Sequence, residues 1–265
     1  MESPFREIAI DRMTEGPTTI YWDLVESFRD PGPYRFRIQH GRTGSPNADD
    51  WTDVGPEVVD TFMAVDNTKR EIARAITSHY RIILNTGIGR YISAPSSSFQ
   101  YLNRFQWRMA REMLRRNRKS LLRNPYSRDG YLLIRRRYGP DCPRCLDPKT
   151  KEVRDPDCPS CYGVGKLGGY FKALPYQNAF ISPRHLTEKV VPGEATRADD
   201  LRNGTFLGYP LLHTYDVFVD AHTDERFVVQ NILQVETMRA VPIIQTGEVT
   251  ALDFSNAVYR FPLTQ

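Results

Sequence analysis

The run Tyr34-Arg35-Phe36-Arg37-Ile38-Gln39-His40 alternates side chain by side chain. Tyr34, Phe36 and Ile38 fall on one face and Arg35 and Arg37 on the other, which is the period of a half-buried β-strand and not of a helix. Upstream, Thr18-Thr19-Ile20-Tyr21-Trp22-Asp23-Leu24 repeats the pattern with Ile20, Trp22 and Leu24 on one side, and Glu7 to Met13 alternates weakly. Downstream come Trp51 to Val54, Thr61 to Val65, His79 to Leu84 and Arg90 to Ser93, with a turn at Gly87 and Gly89 between the last two. Short strands at intervals with turn residues between them predict an all-β unit over residues 1–95, two sheets burying their aromatics against each other.

In this region the chain resembles a fibronectin type III domain. The matching features are Trp22, Tyr34, Trp51 and Tyr80 in successive strands, the Gly87-to-Gly89 turn and the Ser93-Ala94-Pro95 exit. The polar and basic stretch Asn67 to Ser78 departs from the family, which has a short loop there. The resemblance implies an immunoglobulin-like sandwich and carries no catalytic motif.

Residues 96–128 read as a helical linker. Ser96-Ser97-Ser98 offers an N-cap, and Asn124-Pro125 a stop. Phe99, Leu102, Phe105, Met109 and Met113 recur at helical spacing with Ala110 and Leu114 beside them, and this stripe is expected to be the core-facing side. Arg104, Arg108, Arg111, Arg115 and Arg118 occupy the remaining faces. With Arg116, Lys119, Arg123, Arg128 and Arg135 to Arg137 they form a basic region whose acids are Glu112 and Asp129. Such a region suits an acidic protein surface or nucleic acid; a solvated helix face is the plainer alternative.

The chain's four cysteines all lie in residues 129–172, as Cys142-Pro143-Arg144-Cys145 and Cys158-Pro159-Ser160-Cys161. Two CxxC turns supply four thiolates, the ligand set of a closed tetrahedral zinc site. Proline after each first cysteine pre-sets a tight turn, and Gly163, Gly165, Gly168 and Gly169 let amides approach the sulfurs. Two disulfides are the alternative in an oxidising compartment. A catalytic zinc normally keeps an open position and includes His or carboxylate, and no His lies within the cluster. The local string resembles the knuckles of zinc ribbons and of the cysteine-rich domain of J-domain chaperones, although Cys142 to Asp147 lacks the Gly-x-Gly continuation. Gly130 to Arg135 reads as a strand entering the loop and Gly169-Tyr170-Phe171 as its return partner, a zinc-ribbon-like hairpin. The segment Leu146 to Asp157 has no apolar pattern, so a metal would supply its order.

Residues 173–265 read as a small β-sheet or barrel domain. Its expected strands are Thr214 to Asp220, Arg226 to Ile232, Val235 to Met238, Ala240 to Gln245 and Ala257 to Leu263, with a turn over Ala221 to Glu225. His40, His79, His185, His213 and His222 are scattered. Asp216 and Asp220, with Asp224 beyond them, are explained as the solvent side of an alternating hairpin. Phosphate-loop, nucleophile-elbow and HExxH patterns are all missing, so a non-enzymatic role is expected.

Composition sets the remaining bounds. The chain has 265 residues, 40% hydrophobic and 26% charged, with a net charge of +4. No apolar run reaches the length of a membrane span, and Met1 to Arg6 lacks the apolar core of a signal peptide. Synthesis in a reducing compartment is the expectation, which favours thiolate and zinc over disulfide. Taken whole, the chain resembles structural proteins of tailed-bacteriophage virions. The carriers are the fibronectin-like start, the helix around Trp107-Arg108-Met109-Ala110-Arg111-Glu112, the knuckle Cys158 to Gly165, and the ending Val241 to Gln245 with Tyr259 to Leu263. The resemblance implies a virion protein assembled in the host cytoplasm, one subunit of a homo-oligomeric ring at the neck or head–tail connector, with other virion proteins as partners and no membrane. A baseplate position, or a zinc-ribbon protein binding nucleic acid through the arginines, is the alternative.

Overall fold

Alternation in the N-terminal run becomes burial. Thr18, Ile20, Trp22 and Leu24 of the strand Thr18–Leu24 are buried, as are Phe36, Ile38 and His40 of the strand Arg35–Gly41, while Arg35 and Arg37 face solvent. These relations come from a computed structural model that describes residues 3–11, 17–68, 78–97, 104–182, 201–238 and 241–263. The chain is mainly β and divides into two units: residues 1–111 with 136–172, and residues 112–135 with 173–265.

Among the described residues the first unit has eight strands: β1 (Phe5–Asp11), β2 (Thr18–Leu24), β3 (Arg35–Gly41), β4 (Thr52–Asp53), β5 (Val58–Val59), β6 (Met63–Asp66), β7 (His79–Asn85) and β8 (Arg90–Ile92). One sheet runs β1-β2-β6; the other runs β4-β3-β7-β8, with β5 also on β3. Trp22 of β2 packs on Phe36 of β3 with ring centroids 5.0 Å apart, so the two sheets share a core. In this unit β5 is a strand that sequence reading missed, because two residues cannot display a period. Ser96 exchanges backbone hydrogen bonds with Tyr80 at 2.8 Å, so it prolongs sheet pairing instead of capping a helix. Most of the departure at Asn67 to Ser78, like Ser98 to Leu102 and His185, lies outside the described residues.

The segment that carries the four cysteines belongs to this unit, from Arg136 to Lys172. The sandwich and the cysteine loop thus fall within one compact unit. Tyr138 sits edge-on to Tyr34 at 5.3 Å and tilts on Phe171 at 5.6 Å, and Phe171 meets Phe62 at 5.3 Å. The Gly139 amide donates to the Phe28 carbonyl at 3.0 Å, and Arg137 pairs with Asp23 at 3.2 Å. These aromatic contacts, each adding about 0.5–1.5 kcal/mol to simple burial, join segments far apart in sequence.

The helix α1 (Arg104–Arg123) passes from the residues of the first unit into those of the second. Its buried face is Trp107, Ala110, Leu114 and Leu121. That corrects the expected stripe: Phe105, Met109 and Met113 are 70%, 44% and 38% exposed. The sequence holds two apolar stripes, and periodicity alone cannot choose between them.

The second unit is a closed six-stranded barrel. Its strands are β9 (Ser127–Leu133), β10 (Leu174–Ile181), β11 (Leu201–Leu207), β12 (Val217–Asp220), β13 (Arg226–Met238) and β14 (Val241–Ala251), in the order β10-β11-β14-β13-β12-β9. Closure removes sheet edges within the barrel. Tyr176, Phe206 and Phe218 meet in the interior with centroids 6.1–6.4 Å apart. Gly130 allows closure: a Cβ there would lie 1.8 Å from the Val219 carbonyl oxygen. The return partner of β9 is β10, with Leu174 opposite Leu132; Gly169 to Phe171 only closes the neck of the loop, where the Arg136 amide donates to the Gly169 carbonyl at 2.9 Å. Beyond Asn231, β13 is paired by β14 alone among the described residues, while β14 there also pairs with β11, so this stretch of β13 is an edge strand. The expected last strand is instead a short 3-10 helix over Ala257–Arg260, capped by the Asn256 side chain on the Val258 amide.

Candidate metal centre

Each knuckle folds by the same local rule. The amide four residues beyond its first cysteine returns to that cysteine's carbonyl: Leu146 to Cys142 at 3.2 Å and Tyr162 to Cys158 at 2.8 Å. Proline at 143 and 159 gives up a donor that such a turn does not use. Cys142 donates to the Gly165 carbonyl at 2.9 Å and Arg154 to the Cys145 carbonyl, which ties the two knuckles crosswise. Tyr162, Gly163 and Gly165 have φ of 52°, 76° and 81°. Gly163 is further constrained, since a Cβ would stand 2.7 Å from the Pro156 carbonyl oxygen.

The result brings together all four predicted ligands. Cys142, Cys145, Cys158 and Cys161 are buried, and their sulfurs all lie within 4.8 Å of one another. A cation bound about 2.3 Å from four tetrahedral sulfurs requires sulfur–sulfur edges of about 3.8 Å. Cys142 and Cys158 are 3.8 Å apart and Cys145 and Cys161 3.1 Å. Disulfide sulfurs stand about 2.05 Å apart, so these cysteines are free thiols. The donors therefore fit a soft, four-coordinate metal ion, and zinc is compatible with them.

Electrostatics agrees. Burial pushes the Cys145 thiol up, and its sulfur neighbours add to the effect. Burial also opposes ionising Cys158, but the Ser160 amide and the neighbouring thiols outweigh it and bring that thiol down to about 7. Cys161 is raised by burial against the opposition of Cys145 and the Gly165 amide. Burial and the crowding of sulfurs oppose collecting several thiolates here, so holding four together needs a cation among them.

Around the sulfurs the loop has almost no apolar core, Val153 being the partly buried hydrophobe against them. Its outer frame is ionic. Asp141 accepts from Lys151 at 2.8 Å and Lys166 at 2.6 Å, contacts that hold its carboxyl down at about 2. Asp147 pairs with Arg154 and accepts from the Lys149 amide. Sequence reading singled out none of these frame residues, because their pairing depends on the two knuckles having closed first.

The predicted arginines occupy one face of α1. Offsets of four, seven, eleven and fourteen residues from Arg104 fall within about 80° of the helix circumference and extend along about 21 Å of its axis. Arg108, Arg115 and Arg118 are exposed and Arg111 is half-buried, its guanidinium 5.5 Å from the Trp107 ring. Elsewhere no catalytic grouping forms from the residues considered. Asp216 accepts from the Arg135 and His213 amides at 2.8 Å, and Asp220 from the His222 amide and the Arg128 guanidinium. Both are buried, which corrects the solvent-facing expectation: these carboxylates satisfy backbone donors at the ends of β12. His40 is buried against Ser78 and Tyr80.

Comparison with protein-family models, with curated proteins and with solved structures yields no match for this chain.

Proposed function

We propose that the protein is a non-enzymatic structural subunit of a tailed-bacteriophage virion, forming part of a neck or head–tail connector ring and braced by one structural zinc ion per chain. The observation that carries the assembly reading is the saturated sulfur quartet: four thiolates leave a zinc ion no open position for chemistry. Its role is then to order a polar loop. On this reading the N-terminal sandwich is a fibronectin type III-like docking module, consistent with its β1-β2-β6 and β4-β3-β7-β8 sheets. The edge stretch of β13 beyond Asn231 and the basic face of α1 serve as contact surfaces for ring neighbours and other virion proteins. Native mass spectrometry and cryo-EM of intact particles test this. The expected result is a ring of identical chains, each with one zinc; a baseplate location would move the ring without changing its nature, whereas a soluble monomer missing from particles sinks the proposal.

The arginine face supports a second reading, a nucleic-acid-binding protein. A row of guanidinium groups along α1 can follow phosphates, and such binding would weaken steeply with salt. Absence of binding to random-sequence duplex or single-stranded DNA and to RNA at low salt eliminates this reading.

A further inference from the structure

The outward face of the β3-β7-β8 sheet breaks its own alternation at one position. Tyr80, Ile82 and Leu84 of β7 are buried on the core side, so Arg81, Ile83 and Asn85 lie on the outer side. Ile83 is nevertheless only 2% exposed. Its cross-strand neighbours there are Arg37 of β3 and Ile92 of β8, and Arg90 of β8 stands opposite Asn85. Arg37 and Arg90 thus flank β7 from the strands on either side, diagonally across it. With Ile83 and Asn85 they line a cleft of about 140 Å³. That is the share of about five water molecules in the liquid, room for a carboxylate and the carbons next to it.

Arginine stems lying over an isoleucine account for its burial. They do not account for two cationic heads lining one cleft, since like charges repel and each would be better placed apart. Among the described residues, neither the Arg90 guanidinium nor the Asn85 side-chain amide has a hydrogen-bond or ion-pair partner. Arg37 has one long contact, 3.8 Å to Asp53, a carboxylate that also accepts from Gln39 at 2.7 Å. Glu57, the other acid bordering this face, is engaged by Arg35 at 3.3 Å. Burial and then the charge of Arg90 lower Arg81 from its ordinary value, with Asp50 opposing, so the Arg90 charge is felt across the face.

The lining selects the ligand. Guanidinium groups pair with the oxygens of carboxylates and phosphates alike. The apolar floor separates the two: Ile83, with Ile92 beside it, suits methylenes behind a carboxylate, whereas a phosphate oxygen turned onto isoleucine would lose its water without a hydrogen bond in return. We infer that the cleft between Arg37 and Arg90 binds an aliphatic carboxylate, its oxygens on the two guanidinium groups and the Asn85 amide and its methylenes on Ile83. All four residues lie in the sandwich unit, and the site stands whether or not the chain belongs to a particle.

NMR of the full-length, metal-loaded chain with labelled isoleucine methyls tests this, with glutarate and inorganic phosphate as probes in one arm and a short glutamate-rich peptide in the other. Glutarate at up to tens of millimolar should shift the Ile83 methyl saturably, and phosphate should bind more weakly. Arg90→Gln should weaken glutarate binding at least about tenfold, as loss of one charge-assisted contact implies, and Arg37→Gln should act in the same direction. Arg6→Gln removes the same charge from an exposed residue paired with Glu26 and should leave binding unchanged. A peptide that binds about tenfold tighter than glutarate places the carboxylate on a protein partner; a peptide no tighter makes the free acid the ligand. No saturable shift at Ile83, phosphate binding as tightly as glutarate, or an Arg90→Gln chain that binds glutarate as before overturns the inference.

Discussion

The barrel and the cysteine loop reach order by opposite routes. In the barrel, Phe206, Phe218, Phe227, Leu132 and Val249 are fully buried in a closed ring of strands, and the hydrophobic effect suffices. In the loop the buried cluster is four sulfurs with Val153 beside them, wrapped in turns and ion pairs. Its fold follows from ligation. A chain can thus hold two kinds of cohesion with different vulnerabilities: one resists chelators and yields to denaturant, the other yields to chelators first.

Removing the metal should therefore separate the two with the largest effect. Ligation of structural zinc supplies about 10–16 kcal/mol of apparent folding energy in small zinc domains. A strong chelator, or Cys158→Ala, is expected to abolish protection from hydrogen exchange over residues 142–167 and leave the amides of β12 and β13 protected. Equal loss in both regions would break the distinction. Metal analysis of protein purified without added zinc should give one ion per chain.

The converse perturbation is Phe218→Ala in the barrel, which should cost about 3–5 kcal/mol in urea unfolding while metal stoichiometry stays at one. Gly163→Ala is the smaller counterpart in the loop. Its backbone at φ 76° and the Pro156 carbonyl at 2.7 Å both oppose a methyl group, so a loss of about 1–3 kcal/mol is expected, read as weaker competition with a chromophoric zinc chelator.

The smallest expected effect is alkaline. Burial raises the Tyr34 hydroxyl from its ordinary 10 to about 12, with Arg136 opposing and Asp60 assisting. The folded value lies above the unfolded one, so this contribution is complete below pH 10 and is lost as pH rises from 10 to about 12. Tyr34 packs on Tyr138 at the foot of the cysteine loop. The sandwich-and-loop unit should accordingly lose stability in that window, and Tyr34→Phe should flatten the slope, as followed by tyrosinate absorbance alongside unfolding.

How much could be read in advance depended on the range of the interaction. The strands β2, β3 and β7 and the cysteine quartet were legible, because alternation and CxxC spacing are local patterns. The barrel's closure was not, since it pairs β9 with both β10 and β12 across long separations. The helix was legible but its buried side was not: Trp107, Ala110, Leu114 and Leu121 compete with Phe105, Met109 and Met113 for the same period. Asp216 and Asp220 were misplaced because alternation reads a polar residue as exposed, whereas here each carboxylate is buried and accepts from backbone amides. The chain around Val258 looked like a strand by composition, and Asn256 turned it into a helical turn.

The bond from the Arg136 amide to the Gly169 carbonyl has a kinetic meaning. β9 and β10 are neighbours in the barrel, yet the whole cysteine module separates them along the chain. Bringing the ends of a long flexible segment together is an entropic delay that grows with its length. A module already knotted around its metal holds its two ends together by that bond and by the Arg136 guanidinium on the Tyr170 carbonyl, so the distant strands meet as if joined by a short turn. Refolding of the barrel should be faster with zinc present than without it. The metal would then act as a clock for the fold as well as a brace for the loop.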